Sequence, residues 1–303
     1  MIKKRLFAFG CSFTHYAWPS YADFLGYEFK SFSNWAHPGL GNRAIAQRVA
    51  ECHVKNNFTK DDVVIIQWTS HMRNDWHTFN PLKFDPKSFL HSWFKNTNKI
   101  GWKTQGSIFS IGNNLIYDNA WVDRFWDERS FFMYTMNEIA ATQGLLNSTG
   151  CTWRMTSIGE LAKCGSDFPY HPDYGESGNK DKKDMWHREP EFMCYQKLFD
   201  DYKDKWLEPI GLFTWNYPAD AYWFQGPEDK EPWKEEHPSH VNHYNYLNEI
   251  VRPSLGIEKE NCDKQKVIHD QLNKYKKEIP DLLGFEQKIL DEMIDINVGY
   301  IGF

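Results

Sequence analysis

The sequence predicts an α/β protein. The expected form is a doubly wound, flavodoxin-like parallel sheet of about five strands, flanked by helices, with loop insertions and a C-terminal helical extension. Three observations carry this. "DDVVIIQW", residues 61–68, is an unbroken apolar run behind two acids, the pattern of a central parallel strand covered on both faces. "NRAIAQRVAECHVKNN" starts at Asn42 and has apolar residues at 45, 49, 52 and 54, which mark a helix with one buried face. Strand-like and helix-like segments alternate through the first half of the chain, as βαβ units require.

The elements follow in order. Lys4 to Gly10 reads as a buried strand, Ser20 to Leu25 as a short helix, and Phe29 to Trp35 as an alternating strand. Asn42 is the expected N-cap of the next helix. The strand over 61–68 follows. Residues 76–125 are irregular and rich in Asn, Trp and Phe, an insertion rising over the carboxyl edge of the sheet. "DERSFFMYTMNEIAATQGLLNSTG" is a helix ending near Gly150, and "CTWRMTSI" is the next strand. Residues 163–190 are polar and form a second insertion; 239–251 make another helix. From 258 the composition shifts to Lys, Glu, Asp and Gln, and Pro280 divides two amphipathic helices. The main domain is expected over 1–255 and the extension over 256–303. The extension either packs on the main domain or offers a surface for self-association.

Bulk properties exclude several classes. Acids outnumber bases 41 to 35 and the net charge is -6, which argues against a nucleic-acid or anionic-membrane partner. No apolar stretch is long enough to span a bilayer. The basic start, Met1 to Arg5, leads into an apolar run too short for an export signal. The six cysteines are scattered without a CxxC pair, which suits reduced thiols and a cytoplasmic setting. His237, His240 and His243 do not share one tight helical face, so no metal is expected, and no cofactor motif is present. Aromatic content is high, 17% with 14 Trp. Trp76, Trp93, Trp102, Trp186 and Trp223 fall in polar stretches. They either fill loop cores or line a cleft where sugar rings stack.

The candidate site begins with "FAFGCSFT". An apolar run stops at Gly10, and Ser12 follows where a turn projects its hydroxyl beyond the carboxyl end of a strand. "NWAHPGLGN" has Gly39 after the second strand, "VVIIQWTSHMR" continues the third strand into a polar turn, and "WKEEHPSHVNHYNYL" sets His237 before the last helix of the main domain. In this order and spacing the four segments resemble the SGNH (GDSL-type) hydrolase family over residues 4–252. The resemblance implies Ser12 as nucleophile, with Cys11 where the family has Asp. It implies His237 as general base and the Gly39 backbone N–H as an oxyanion donor; Asn34, five residues earlier, also fits. The family's side-chain donor after the third strand falls closest to His71, with Ser70, Arg73 and Asn74 as rivals. The family's acid position, three before the histidine, is Lys234 here. Glu235 is the better candidate, with Glu236 adjacent. Asn42, Ser70 and Arg73 are expected to touch substrate.

These residue types suit acyl transfer. A serine hydroxyl needs a base to take its proton, the histidine needs a carboxylate to fix its tautomer, and the oxyanion needs preorganised donors. The expected activity is a serine esterase or acylhydrolase working through an acyl-enzyme on a small-molecule or glycan ester, such as an O-acyl group on a carbohydrate. The competing expectation is a catalytically degenerate module that binds glycans or serves in an assembly.

Overall fold

The computed structural model describes residues 2–73, 75–78, 101–104, 119–125, 127–159, 161, 193–225, 231–258 and 263–292. Its main elements are β1 (Ile2–Phe9), α1 (Tyr21–Gly26), β2 (Phe29–Asn34), α2 (Asn42–Asn56), β3 (Asp62–Trp68), β4 (Asp75–Thr78) and β5 (Gly101–Thr104). They continue with α3 (Glu128–Thr149), β6 (Thr152–Ser157), α4 (Ile210–Trp215), β7 (Trp223–Phe224), β8 (Trp233–Lys234), α5 (His240–Tyr246), α6 (Asp263–Glu278) and α7 (Leu282–Glu292). The insertion expected over 163–190 lies outside the described residues. So does most of the one over 76–125, apart from the antiparallel pair β4–β5 and the helical segment Asn119–Phe125.

Four strands form a parallel sheet in the order β2-β1-β3-β6. The alternation of strand side chains explains why the β3 run is apolar throughout. Leu6, Ala8, Val63 and Ile65 enter one core cluster; Phe7, Phe9, Val64 and Ile66 enter the other. Residues α1 and α5 contribute cover the first face, and residues of α2 and α3 cover the second. Beside β6, a single parallel bridge joins Met155 to Trp206. The Met155 N–H donates to the Lys205 carbonyl (2.9 Å) and the Leu207 N–H to the Met155 carbonyl (2.8 Å). The regular sheet therefore has four strands among the described residues, where the sequence suggests about five.

The cap of α2 differs from the expectation. Gly41, not Asn42, occupies the N-cap position. The capping carboxylate is remote: Asp75 accepts from the Gly41 N–H at 2.9 Å and from the Ala44 N–H at 2.8 Å. A Cβ on Gly41 would come within 2.6 Å of that carboxylate, so only glycine admits it.

The C-terminal helices turn their apolar faces inward. Ile268, Leu272, Tyr275, Leu282, Phe285 and Ile289 share the core cluster of Leu6 and Val63. A buried polar knot fastens them. Arg252 Nη2 pairs with Glu28 and donates to Gln265 Oε1 (2.7 Å). Gln265 Nε2 donates to Glu28 Oε1 (2.9 Å) and to the Phe24 carbonyl (2.5 Å). Of the two uses expected for this apolar stripe, packing on the main domain is the one these contacts display.

Candidate active site

Why the first strand stops at a glycine is answered by what crowds it. A Cβ on Gly10 would lie 2.4 Å from Thr14 Oγ1 and 2.8 Å from Gln67 Oε1. Those two groups build the turn that follows. The N–H groups of Thr14 and His15 both donate to the Cys11 carbonyl (3.0 and 3.1 Å). Gln67, near the end of β3, accepts from the Cys11 N–H (3.2 Å), the Cys11 thiol (3.3 Å) and the Thr14 hydroxyl (3.3 Å). Ser12 is buried on this braced turn.

The histidine is positioned from the other end of the chain. Ser239 caps α5, accepting from the Asn242 N–H (3.2 Å), while Asn242 Oδ1 accepts from the Ser239 N–H (3.1 Å), a reciprocal cap. Pro238, one residue earlier, accepts at its carbonyl from Trp18 Nε1 (2.8 Å). His237 is therefore fixed immediately outside a capped helix. Its Nε2 stands 2.9 Å from Ser12 Oγ. Its Nδ1 stands 2.5 Å from Glu235 Oε1, which also accepts the His237 backbone N–H (3.2 Å). The Glu235 N–H is itself tied to the Tyr222 carbonyl (2.8 Å).

Glu235 is buried, whereas Glu236 and Lys234 are exposed. Burial pushes the Glu235 carboxyl up. The hydrogen bonds and charge of His237, with the Tyr16 hydroxyl (3.3 Å), outweigh this and hold it below the ordinary glutamate value. An ionised Glu235 accepts from Nδ1–H, which leaves Nε2 as the acceptor facing the Ser12 hydroxyl. Tyr16 stacks on the imidazole with centroids 3.9 Å apart, and the Phe13 ring lies 5.6 Å from it, centroid to centroid, tilted by 52°. Neither aromatic was singled out from sequence; only their closeness to Ser12 in the chain pointed toward them.

The remaining predicted residues gather on the neighbouring stretch of the same edge. Gly39 has φ 81° in a turn closed by the Leu40 N–H donating to the His37 carbonyl (3.3 Å), with Pro38 before it. A turn of this kind needs a residue that tolerates positive φ. The turn is docked beside the serine turn, because the His37 N–H donates to the Gly10 carbonyl (3.2 Å). Asn34 is engaged elsewhere: its Nδ2 donates to the Thr14 carbonyl (2.9 Å) and to Asp23 (3.2 Å), and its Oδ1 accepts from the Ala36 N–H (3.0 Å). Asn42 likewise brackets Thr69, donating to its carbonyl (3.0 Å) and accepting its N–H (2.8 Å). Its amide is a strut for the wall of the site. Ser70 Oγ accepts the Met72 N–H (3.1 Å), stiffening its turn. His71 packs edge-on against Phe132 (5.7 Å) and, with Arg73, lines a cavity between α2 and α3. Asn74 lies outside the described residues.

Among the described residues, no group of three or more His, Cys, Asp or Glu side chains is arranged to hold a metal ion, and no helix is long and apolar enough to cross a membrane. Compared with protein-family models and with curated proteins, the chain matches none. The fold and geometry define an α/β protein with a serine, a histidine and a glutamate linked in series at the carboxyl edge of a parallel sheet.

Proposed function

We propose that this chain is a serine hydrolase of the SGNH type that cleaves esters through an acyl-enzyme. The supporting observation is the series Ser12 Oγ–His237 Nε2 (2.9 Å) and His237 Nδ1–Glu235 Oε1 (2.5 Å). In the first half-reaction Ser12 Oγ attacks the ester carbonyl carbon and His237 Nε2 takes its proton. Glu235 stabilises the imidazolium. The tetrahedral intermediate collapses, and His237 returns the proton to the departing alkoxide. Water then attacks the acyl-serine by the same route and releases the acid. The Gly39 N–H and a side chain of the 69–75 turn, His71 first, are the proposed oxyanion donors. A fifth strand of a flavodoxin-like sheet is proposed at residues 205–207; the single parallel bridge from Trp206 to Met155 supports it.

The alcohol portion is proposed to be a carbohydrate. Trp223 and Trp233 are exposed on the β7–β8 hairpin, which leads directly into Glu235. A cytoplasmic setting is proposed with it; among the described residues the buried thiols of Cys11, Cys52 and Cys151 form no disulfide.

A fluorophosphonate label read by intact mass tests the proposal. Wild type should gain one adduct, on Ser12, and Ser12→Ala and His237→Ala should gain none. No adduct on wild type, with no turnover of aryl or acetylated-sugar esters, would favour the module without catalysis.

A further inference from the structure

A small cleft of about 20 Å³, open to solvent, lies between the start of α2, the turn after β3 and the first turns of α3. Asn42, Arg43, His71, Arg73, Tyr134 and Glu138 contribute to its lining. It adjoins the serine turn through one strand: Gln67 grips Cys11, and two residues further on Thr69 is held by Asn42.

The charges in the cavity are unevenly matched. Arg43 faces Glu138 at 4.0 Å. The nearby carboxylate of Asp75 caps the N-terminus of α2 through two backbone N–H groups. Arg73 is different. Its Nη1 is buried and has no hydrogen-bond acceptor among the described residues. A guanidinium nitrogen removed from water without an acceptor is costly, and a planar fork of donors is the group best suited to an oxyanion.

We infer that this cavity is an anion subsite, in which Arg73, assisted by Arg43, receives a carboxylate or sulfate carried by the ester substrate. The word "substrate" rests on the hydrolase reading; the anion site itself does not. The subsite would select anionic esters over neutral ones, because a neutral analogue leaves the Arg73 nitrogen without its acceptor.

Two measurements on the full chain test this. The first is calorimetric titration with inorganic sulfate at fixed ionic strength. Wild type should bind sulfate, Arg73→Gln should weaken binding by about tenfold or more, and Arg73→Lys should weaken it less, since it keeps the charge but loses the fork. The second compares kcat/KM within matched ester pairs. 4-Nitrophenyl hydrogen succinate against 4-nitrophenyl acetate places the charge on the acyl side. An acetylated methyl glucuronide against an acetylated methyl glucoside places it on the alcohol side. Wild type should favour the anionic member of one pair, and Arg73→Gln should lower that preference by about tenfold. Unchanged sulfate affinity in either variant, or no sulfate binding by wild type, overturns the inference. Arg73-dependent sulfate binding without fluorophosphonate labelling would keep the anion site and remove the hydrolase. Labelling at Ser12 without sulfate binding would do the reverse.

Discussion

The ring of Tyr16 lies nearly parallel to the imidazole of His237, with centroids 3.9 Å and planes 20° apart, while its hydroxyl reaches Glu235. One side chain thus restrains both members of the acid–base pair. Tyr16→Phe keeps the stack and loses one long hydrogen bond, so kcat should fall only about fivefold, the equivalent of roughly 1 kcal/mol. Tyr16→Ala releases the ring, and a displaced base should lower kcat by about 10². Steady-state kinetics on one aryl ester separates the two; equal losses would assign the role of Tyr16 to the hydrogen bond alone.

Glu235→Gln should cost on the order of 10³–10⁴ in kcat with the fold intact, because a neutral amide neither fixes the tautomer nor stabilises the imidazolium. Glu236→Gln should leave kcat unchanged, since Glu236 is exposed. The reverse pattern would transfer the acid to Glu236.

Gly10→Ala should destabilise the fold by about 1–3 kcal/mol through overpacking. The added Cβ meets Thr14 and Gln67, both in the brace beneath Ser12. Chemical denaturation measures the first effect. A fall in fluorophosphonate labelling rate at temperatures where the variant stays folded measures the second.

Stability should fall on acidification below pH 6.5. Burial, followed by the charges of neighbouring histidines, lowers His240 and His243 to about 3. The folded state keeps them neutral, so the unfolded chain binds protons first and gains as pH drops from 6.5 toward 3. One such histidine removes up to roughly 5 kcal/mol at about 1.4 kcal/mol per pKa unit. Glu286 acts in the opposite direction. Burial and then the Glu235 charge raise it to about 7, so its ionisation opposes folding as pH rises from 4.5 through 7. Urea midpoints measured across this range should flatten on the acid side in His243→Leu and on the neutral side in Glu286→Gln.

Deleting residues 259–303 should prevent folding. Ile268, Leu272, Tyr275, Leu282, Phe285 and Ile289 are buried in the main core. At about 1.5–3 kcal/mol for each buried side chain, their loss rivals the roughly 5–15 kcal/mol that holds a domain together. Arg252 would also lose Gln265 from its buried knot. A soluble, cooperatively melting 1–258 fragment would contradict this.

The sheet was legible because its signals are local. β3 is a continuous apolar run, and α2 shows its buried stripe at 45, 49 and 52. Ser12 and His237 were legible by position at strand and helix ends. Glu235 was preferred over Glu236 through the family resemblance, and what the sequence could not carry is the burial that separates the two, Glu235 inside and Glu236 exposed. Three features had no local signal. Asp75 caps a helix that starts 33 residues earlier in the chain, as the Asn42 numbering makes plain. Gln67 braces a turn on another strand. The stripe on α6 and α7 looks the same in sequence whether it meets its own domain or another molecule. Each depends on a long-range contact, which periodicity does not encode.

Ser12 and His237 are separated by 225 residues in the chain. At a synthesis rate of about 5–20 residues per second, roughly 10–45 s pass between the appearance of one and of the other. On the hydrolase proposal, a chain that ends before His237 carries the serine without its base, so fluorophosphonate should leave such a chain unlabelled.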